Sequence, residues 1–247
     1  VEDFRKAPGF APVRHVLYHF TRFLVRTAVS PFVKIHVLRP EAAVRHGPYI
    51  LACNHISHFD APLVALTVRY EIHWMAIAAL FRRPFLAAWF RAIGMFPVDR
   101  KRMDRHTVQA ALARLRAGHA VGMFPEGGIR DGARSVLGGA PLRPGVAGFA
   151  QRSGAPVVPC VVLGSDRCYA LRKLWRPGRR IPVWIAFGAP LLPPGGPDRV
   201  AARAALEADL AAAFRELALE MRRHFHLSDD DFPQPPRRRR GEGAPPA

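Results

Sequence analysis

The 247-residue chain has only three cysteines, Cys53, Cys160 and Cys168, and no Cys-x-x-Cys pair. That argues against a disulfide framework and the common cysteine zinc sites, and a reduced, cytoplasmic setting fits. Acids are scarce too: 19 Asp and Glu stand against 37 Lys and Arg, a formal charge of +18. Such an imbalance calls for an acidic partner, either nucleic acid or anionic lipid. Long apolar runs are also missing. The longest stretch without a formal charge, Ile181 to Pro197, carries five prolines and cannot form a helix that spans a bilayer. No secretory signal is legible. What is present is a 49% hydrophobic chain, long enough to bury one α/β core.

From Arg14 to Val37, residues Val16, Leu17, Phe20, Phe23, Leu24 and Ala28 fall at helical spacing on one face, with His15, His19, Arg22 and Arg26 on the other. Bulky apolar groups opposite a basic edge suit a helix lying in a membrane interface, and equally a helix packed on a core. The pattern then changes. Tyr49–Cys53, His73–Ala78, Val121–Pro125, Val157–Leu163 and Pro182–Phe187 read as buried strands. Pro62–Tyr70, Pro84–Ile93, Met103–Ala117, Gly145–Ser153 and Val200–Phe225 read as helices. The expected fold is α/β: one domain with a mixed β-sheet layered by helices, preceded by an amphipathic membrane-interface segment. The boundaries expected are 1–40 for that segment, 41–227 for the catalytic domain and 228–247 for a disordered tail, which is rich in proline and charge and includes Arg237–Arg240.

Within ILACNHISHFDAPLV, a strand delivers His55 and Asp60 follows five residues later. In one continuous helix the two would point about 140° apart. They meet only across a turn, with a helix starting near Asp60, as Pro62 in a first turn suggests. Asp60 then fixes the imidazole tautomer while the other nitrogen takes a proton, a charge-paired base without a protein nucleophile. The plain alternatives are an N-cap for Asp60 and a structural histidine for His55. Ser57 lacks a Gly-x-Ser-x-Gly elbow, and His55, His58, Asp60 and His119 match no usual zinc spacing, so no metal is expected.

Three further blocks follow. In GMFPVDR, Gly94 to Arg100, the arginine suits a bidentate phosphate contact, unless it is a surface cation. In GMFPEGGIRD, Gly127 and Gly128 let backbone amides approach an oxyanion, Glu126 suits a substrate hydroxyl and Arg130 adds a cation; a tight turn with a surface ion pair is the simpler account. SGAPVVPCVVLG, Ser153 to Gly164, fits a core strand whose prolines mark an edge or bulge.

Taken in order, Asn54-His55 with Asp60, Gly94 to Arg100, Phe124 to Gly127 and Ala155 to Val161 resemble the four motif blocks of the glycerolipid acyltransferase family, over roughly Tyr49 to Val162. The resemblance implies that His55 deprotonates an acceptor hydroxyl for attack on an acyl thioester, with Asp60 steadying it. It implies that Arg100, Glu126, Gly127 and Arg130 bind the phosphoglycerol part of a lysophospholipid. It implies no cofactor, acyl-CoA or acyl carrier protein as co-substrate, and a peripheral or monotopic place on the cytoplasmic face of an anionic membrane. One departure is Gly128, where the family often has threonine. The alternatives are a thioester or ester hydrolase using the same pair, and a basic binding module. For the second, the cations are scattered and match no nucleic-acid motif, so no nucleic acid is expected.

Overall fold

The computed structural model describes residues 10–43, 47–99, 105–170, 179–193, 195 and 198–233. Seven strands form one sheet: β1 (Val33–Leu38), β2 (Ile50–Cys53), β3 (Ile72–Ile77), β4 (Phe96–Val98), β5 (Ala120–Met123), β6 (Val157–Leu163) and β7 (Ile181–Phe187). Their order across the sheet is β1-β7-β6-β2-β5-β3-β4. All neighbouring pairs are parallel except β6 with β7, which makes the sheet mixed, as expected.

The central strands read as unbroken apolar runs because both faces of the sheet are covered. Successive residues of β2 feed opposite layers: Ile50 and Ala52 join one apolar cluster, Leu51 and Cys53 the other. The first layer is roofed by α4 (Arg105–Arg116), α5 (Val146–Ser153) and α6 (Arg199–Phe225), the second by α2 (Asp60–Thr67). In α6 the side chain of Asp198 accepts the amides of Val200 and Ala201, both at 3.0 Å, which fixes where the helix starts. Leu206, Leu210, Phe214, Leu217 and Met221 form its buried stripe.

Two boundaries differ from the sequence reading. The amphipathic segment expected over residues 1–40 is helical only over α1 (Phe10–Val29) within the described residues, and β1 follows as an edge strand in register with β7, Val33 opposite Ile181. Pro31 stops the helix, and the alternating Val33, Ile35 and Val37 favour a strand. Residues 228–233, expected to belong to the tail, are part of the fold. Ser228 and Asp231 form a reciprocal cap, Asp231 meets Arg167 and Phe232 packs on the core, so the fold continues to Pro233. Arg237–Arg240 and the rest of 234–247 lie outside the described residues.

Candidate active site

Parallel strands send the loops after β2, β3, β4, β5 and β6 to one edge of the sheet, the edge where open α/β sheets bind ligands. His55 follows β2, the middle strand. Before it, the buried Asn54 donates from Nδ2 to Val162 O at 3.0 Å and accepts the Val162 amide at 2.7 Å. This side chain extends the β2–β6 ladder by one step and holds the strand end from which His55 projects.

The chain then turns and α2 begins at Asp60. Across that turn His55 Nδ1 donates to Asp60 Oδ2 at 2.8 Å. The same oxygen accepts the amides of Ile56 and Ser57 at 2.8 and 2.9 Å, while Oδ1 accepts the hydroxyls of Ser57 and Ser165. Asp60 is fully buried, and these five donors replace the water it loses. The amides it binds precede the helix, so Asp60 is not acting as a plain N-cap. With Nδ1 committed as a donor, Nε2 is the basic nitrogen of the neutral ring. The imidazole stacks on Phe124, ring centres 4.0 Å apart, and Phe124 in turn on Trp74.

The loop after β5 supplies the next layer. Glu126 is 4% exposed, and its oxygens accept the His55 amide at 2.6 Å, the Val136 amide at 2.7 Å and the Ser135 hydroxyl at 2.8 Å. Burial raises its pKa, and the three hydrogen bonds oppose the rise. Both oxygens are engaged by the chain, Oε1 by two donors and Oε2 by one. The Arg130 amide donates to His55 O at 2.8 Å, which sets that residue beside the base. Gly127 sits at φ +69°, and a Cβ there would come within 2.4 Å of Arg143 Cδ. The missing side chain is what lets Arg143 cross this loop. Arg100 lies outside the described residues.

Beside Phe124 a cavity of about 280 Å3 opens, walled by Met75, Ile77, Val98, Met123 and Val146, with Arg143 and Asp99 among its polar groups. His55, the carboxylate that orients it, an apolar chamber and the Arg143 side chain therefore share one end of the sheet. Residues 34–163 match the family model described as Acyltransferase, 130 of the 247 residues. The chain belongs to the Acyltransferase family.

This acyltransferase is similar to a protein of Bacillus subtilis (strain 168) named 1-acyl-sn-glycerol-3-phosphate acyltransferase. The two are 26% identical over 176 residues, which cover 71% of this chain and 82% of that protein. Its fold is similar to that of the 1-acyl-sn-glycerophosphate (LPA) acyltransferase PlsC from Thermotoga maritima, with a TM-score of 0.64 at 20% identity, covering 86% of this chain and 84% of that one.

Sequence reasoning missed Ser165 and Arg143 in the acyltransferase site, and it named Phe124 only as part of a motif block. Ser165 was within reach: it follows Gly164 at the end of a strand already identified, and knowing that β6 neighbours β2 puts it beside Asp60. Arg143 gave no comparable signal, because its place depends on a long loop folding back over Gly127.

Proposed function

We propose that the protein is an O-acyltransferase of phospholipid biosynthesis that moves a fatty acyl group from a thioester, acyl-CoA or acyl carrier protein, to the free hydroxyl of 1-acyl-glycerol-3-phosphate or a related lysophospholipid. The observation that carries this reading is the buried Asp60 holding His55 Nδ1 beside an apolar cavity. His55 Nε2 removes the hydroxyl proton as the oxygen attacks the thioester carbonyl. Asp60 stabilises the imidazolium, which returns the proton to the departing thiolate as the C–S bond breaks. The products are the ester and the free thiol, with no cofactor consumed.

In this reading the apolar cavity takes acyl carbons, and Arg130 and Arg143 face the acceptor phosphate, which suits guanidinium groups. Arg100 and Gly127 belong to the same headgroup region. Glu126 is a positioning residue: it holds the His55 amide and thereby the turn that brings His55 to Asp60.

The substrates are lipids, and the surface offers a way to meet them. Helix α1 is tied to the domain by its polar side, Arg22 Nη2 donating to Leu66 O at 3.0 Å, while Val16, Phe20, Phe23 and Leu24 point outward, Phe23 at 63% exposure. The neighbouring α3 (Pro84–Ala92) presents Phe85 at 90% exposure. An apolar outer face on a strongly cationic protein supports peripheral docking on an anionic membrane, at its cytoplasmic face. Among the described residues no helix is long and apolar enough to cross a membrane.

The test is transfer of labelled acyl from acyl-CoA or acyl carrier protein to 1-acyl-glycerol-3-phosphate in anionic vesicles, comparing the parent with His55→Ala. Removal of the base is expected to lower turnover by about 10²–10⁴-fold with vesicle binding unchanged. Undiminished transfer by the variant would overturn the role of His55. Thioester loss that ignores the acceptor would instead assign the pair to hydrolysis.

A further inference from the structure

At the opposite edge of the sheet, α1 crosses the starts of β3 and β5. Tyr18 anchors it there, its hydroxyl oxygen accepting the Ile72 amide at 3.2 Å. On the same helix His15 and His19 stand four residues apart, a spacing that projects both from one side, and their ring centres are 4.3 Å apart. Glu71, the residue before β3, places Oε1 2.7 Å from His15 Nδ1. One donor atom from each of the three lies within 4.8 Å of the other two, the one such group of His, Cys, Asp or Glu among the described residues. A cavity of about 400 Å3 borders all three, with Arg14, Arg69 and His119 on its other walls.

We propose that His15, His19 and Glu71 form a binding site for a divalent transition-metal ion of the Zn2+ type, which clamps α1 to the start of β3. Two imidazoles and one carboxylate match such ions and disfavour Mg2+ and Ca2+, which prefer oxygen. The donors of a tetrahedral Zn2+ lie about 3.3 Å apart, so small side-chain rotations bring the three into place. The ion replaces the proton shared by His15 and Glu71, and the cavity leaves room for water at the fourth position. Glu71 is braced from behind, with Arg14 Nε 3.6 Å from Oε2. Arg14, Arg22 and Arg69 repel a cation, so the affinity is weaker than that of a four-ligand structural site.

The site needs no acyl chemistry, and it sits at the other end of β3 from the loops that carry the catalytic pair, about 20 Å away by strand rise. Its effect falls on α1: the ion sets how firmly the outward apolar face is held to the domain.

The experiment is calorimetric titration of the chelator-treated, tag-free full chain with Zn2+. One equivalent is expected to bind, at least about tenfold more weakly in His15→Ala and His19→Ala, since even an outer partner of a ligand is worth that much. His106→Ala, exposed on α4, is the control expected to match the parent. His19→Gln keeps side-chain bulk and guards against a folding defect, and circular dichroism checks each variant. Hydrogen exchange at α1 amides is expected to slow with Zn2+ in the parent and not in the ligand variants. No saturable equivalent in the parent, or equal affinity in all variants, would overturn the site. A parent that binds Zn2+ yet transfers no acyl group would overturn the functional reading and leave the metal site standing.

Discussion

Asp60 and His73 are both buried beside the parallel strands, and their surroundings have little in common. Asp60, at the carboxyl edge, receives five donors on two oxygens. His73, at 2% exposure near the amino edge, finds no hydrogen-bond partner for either ring nitrogen among the described residues. It stacks on His119 at 4.4 Å and its ring fills the space left by Gly94, whose Cβ would come within 2.6 Å of His73 Cδ2. A buried carboxylate is accommodated where its lone pairs are used, and a buried ring by packing where none is. The first arrangement solvates a side chain with the chain's own donors, whereas the second keeps a ring from ionising.

Substitutions at the two positions should therefore fail in different ways, and the largest effect belongs to Asp60→Asn. The amide is nearly isosteric, and its NH2 group can donate to the Ser57 and Ser165 hydroxyls, so the fold is retained while the imidazolium loses its counter-charge. Turnover is expected to fall about 10²–10⁴-fold with the melting temperature close to that of the parent. A variant that unfolds instead would make Asp60 a structural group.

Next is Gly94→Ala. Its φ of +88° and the overlap with His73 together should cost about 1–3 kcal/mol, read as a drop in the urea midpoint. Replacing His73 by serine in the same chain removes the overlap and leaves the backbone strain, so a double-mutant cycle should show coupling of about 1 kcal/mol. Zero coupling would mean that the glycine serves its backbone conformation alone.

The smallest effect is one of pH. Burial first, then His119, Arg114 and Arg14, lower the His73 pKa from 6.5 to about 2. Between those values the unfolded chain binds a proton that the folded chain does not, so stability rises with pH and is lost as pH falls below 6.5. The loss is at most about 1.4 kcal/mol per pH unit. His73→Leu should lose less stability than the parent between pH 7 and pH 5. Parallel losses would place the acid sensitivity elsewhere.

Periodicity made β2, β3, β5, β6, β7 and the five later helices legible, because a layered sheet writes its burial directly into apolar runs. Strand β1 was hidden because Val33, Ile35 and Val37 continue the apolar register of the helix before them. Strand β4 was hidden because three residues are too few for a period. At the site, His55 and Asp60 were legible because five residues carry the whole pair and its turn. The partners of Glu126 were not: they come from residues 55, 135 and 136, and only the folded sheet brings these loops together. The motif suggested that Glu126 meets a substrate hydroxyl, and the hydrogen bonds also tie it to the His55 backbone. His15 and His19 were read only as a basic edge, because Glu71 reaches them through tertiary packing.

Asp60 and His55 ride on one short segment leaving the central strand, while the cavity beside them is walled from β3, β4, β5 and α5. Proton handling and chamber shape are thus carried by separate stretches of chain. Bulk can be added or removed at Ile77, Val98 or Val146 without touching the donors that hold Asp60. On the proposed reading, a lineage or an engineer can therefore retune which chains the chamber admits while the pair that would move the proton is inherited unchanged.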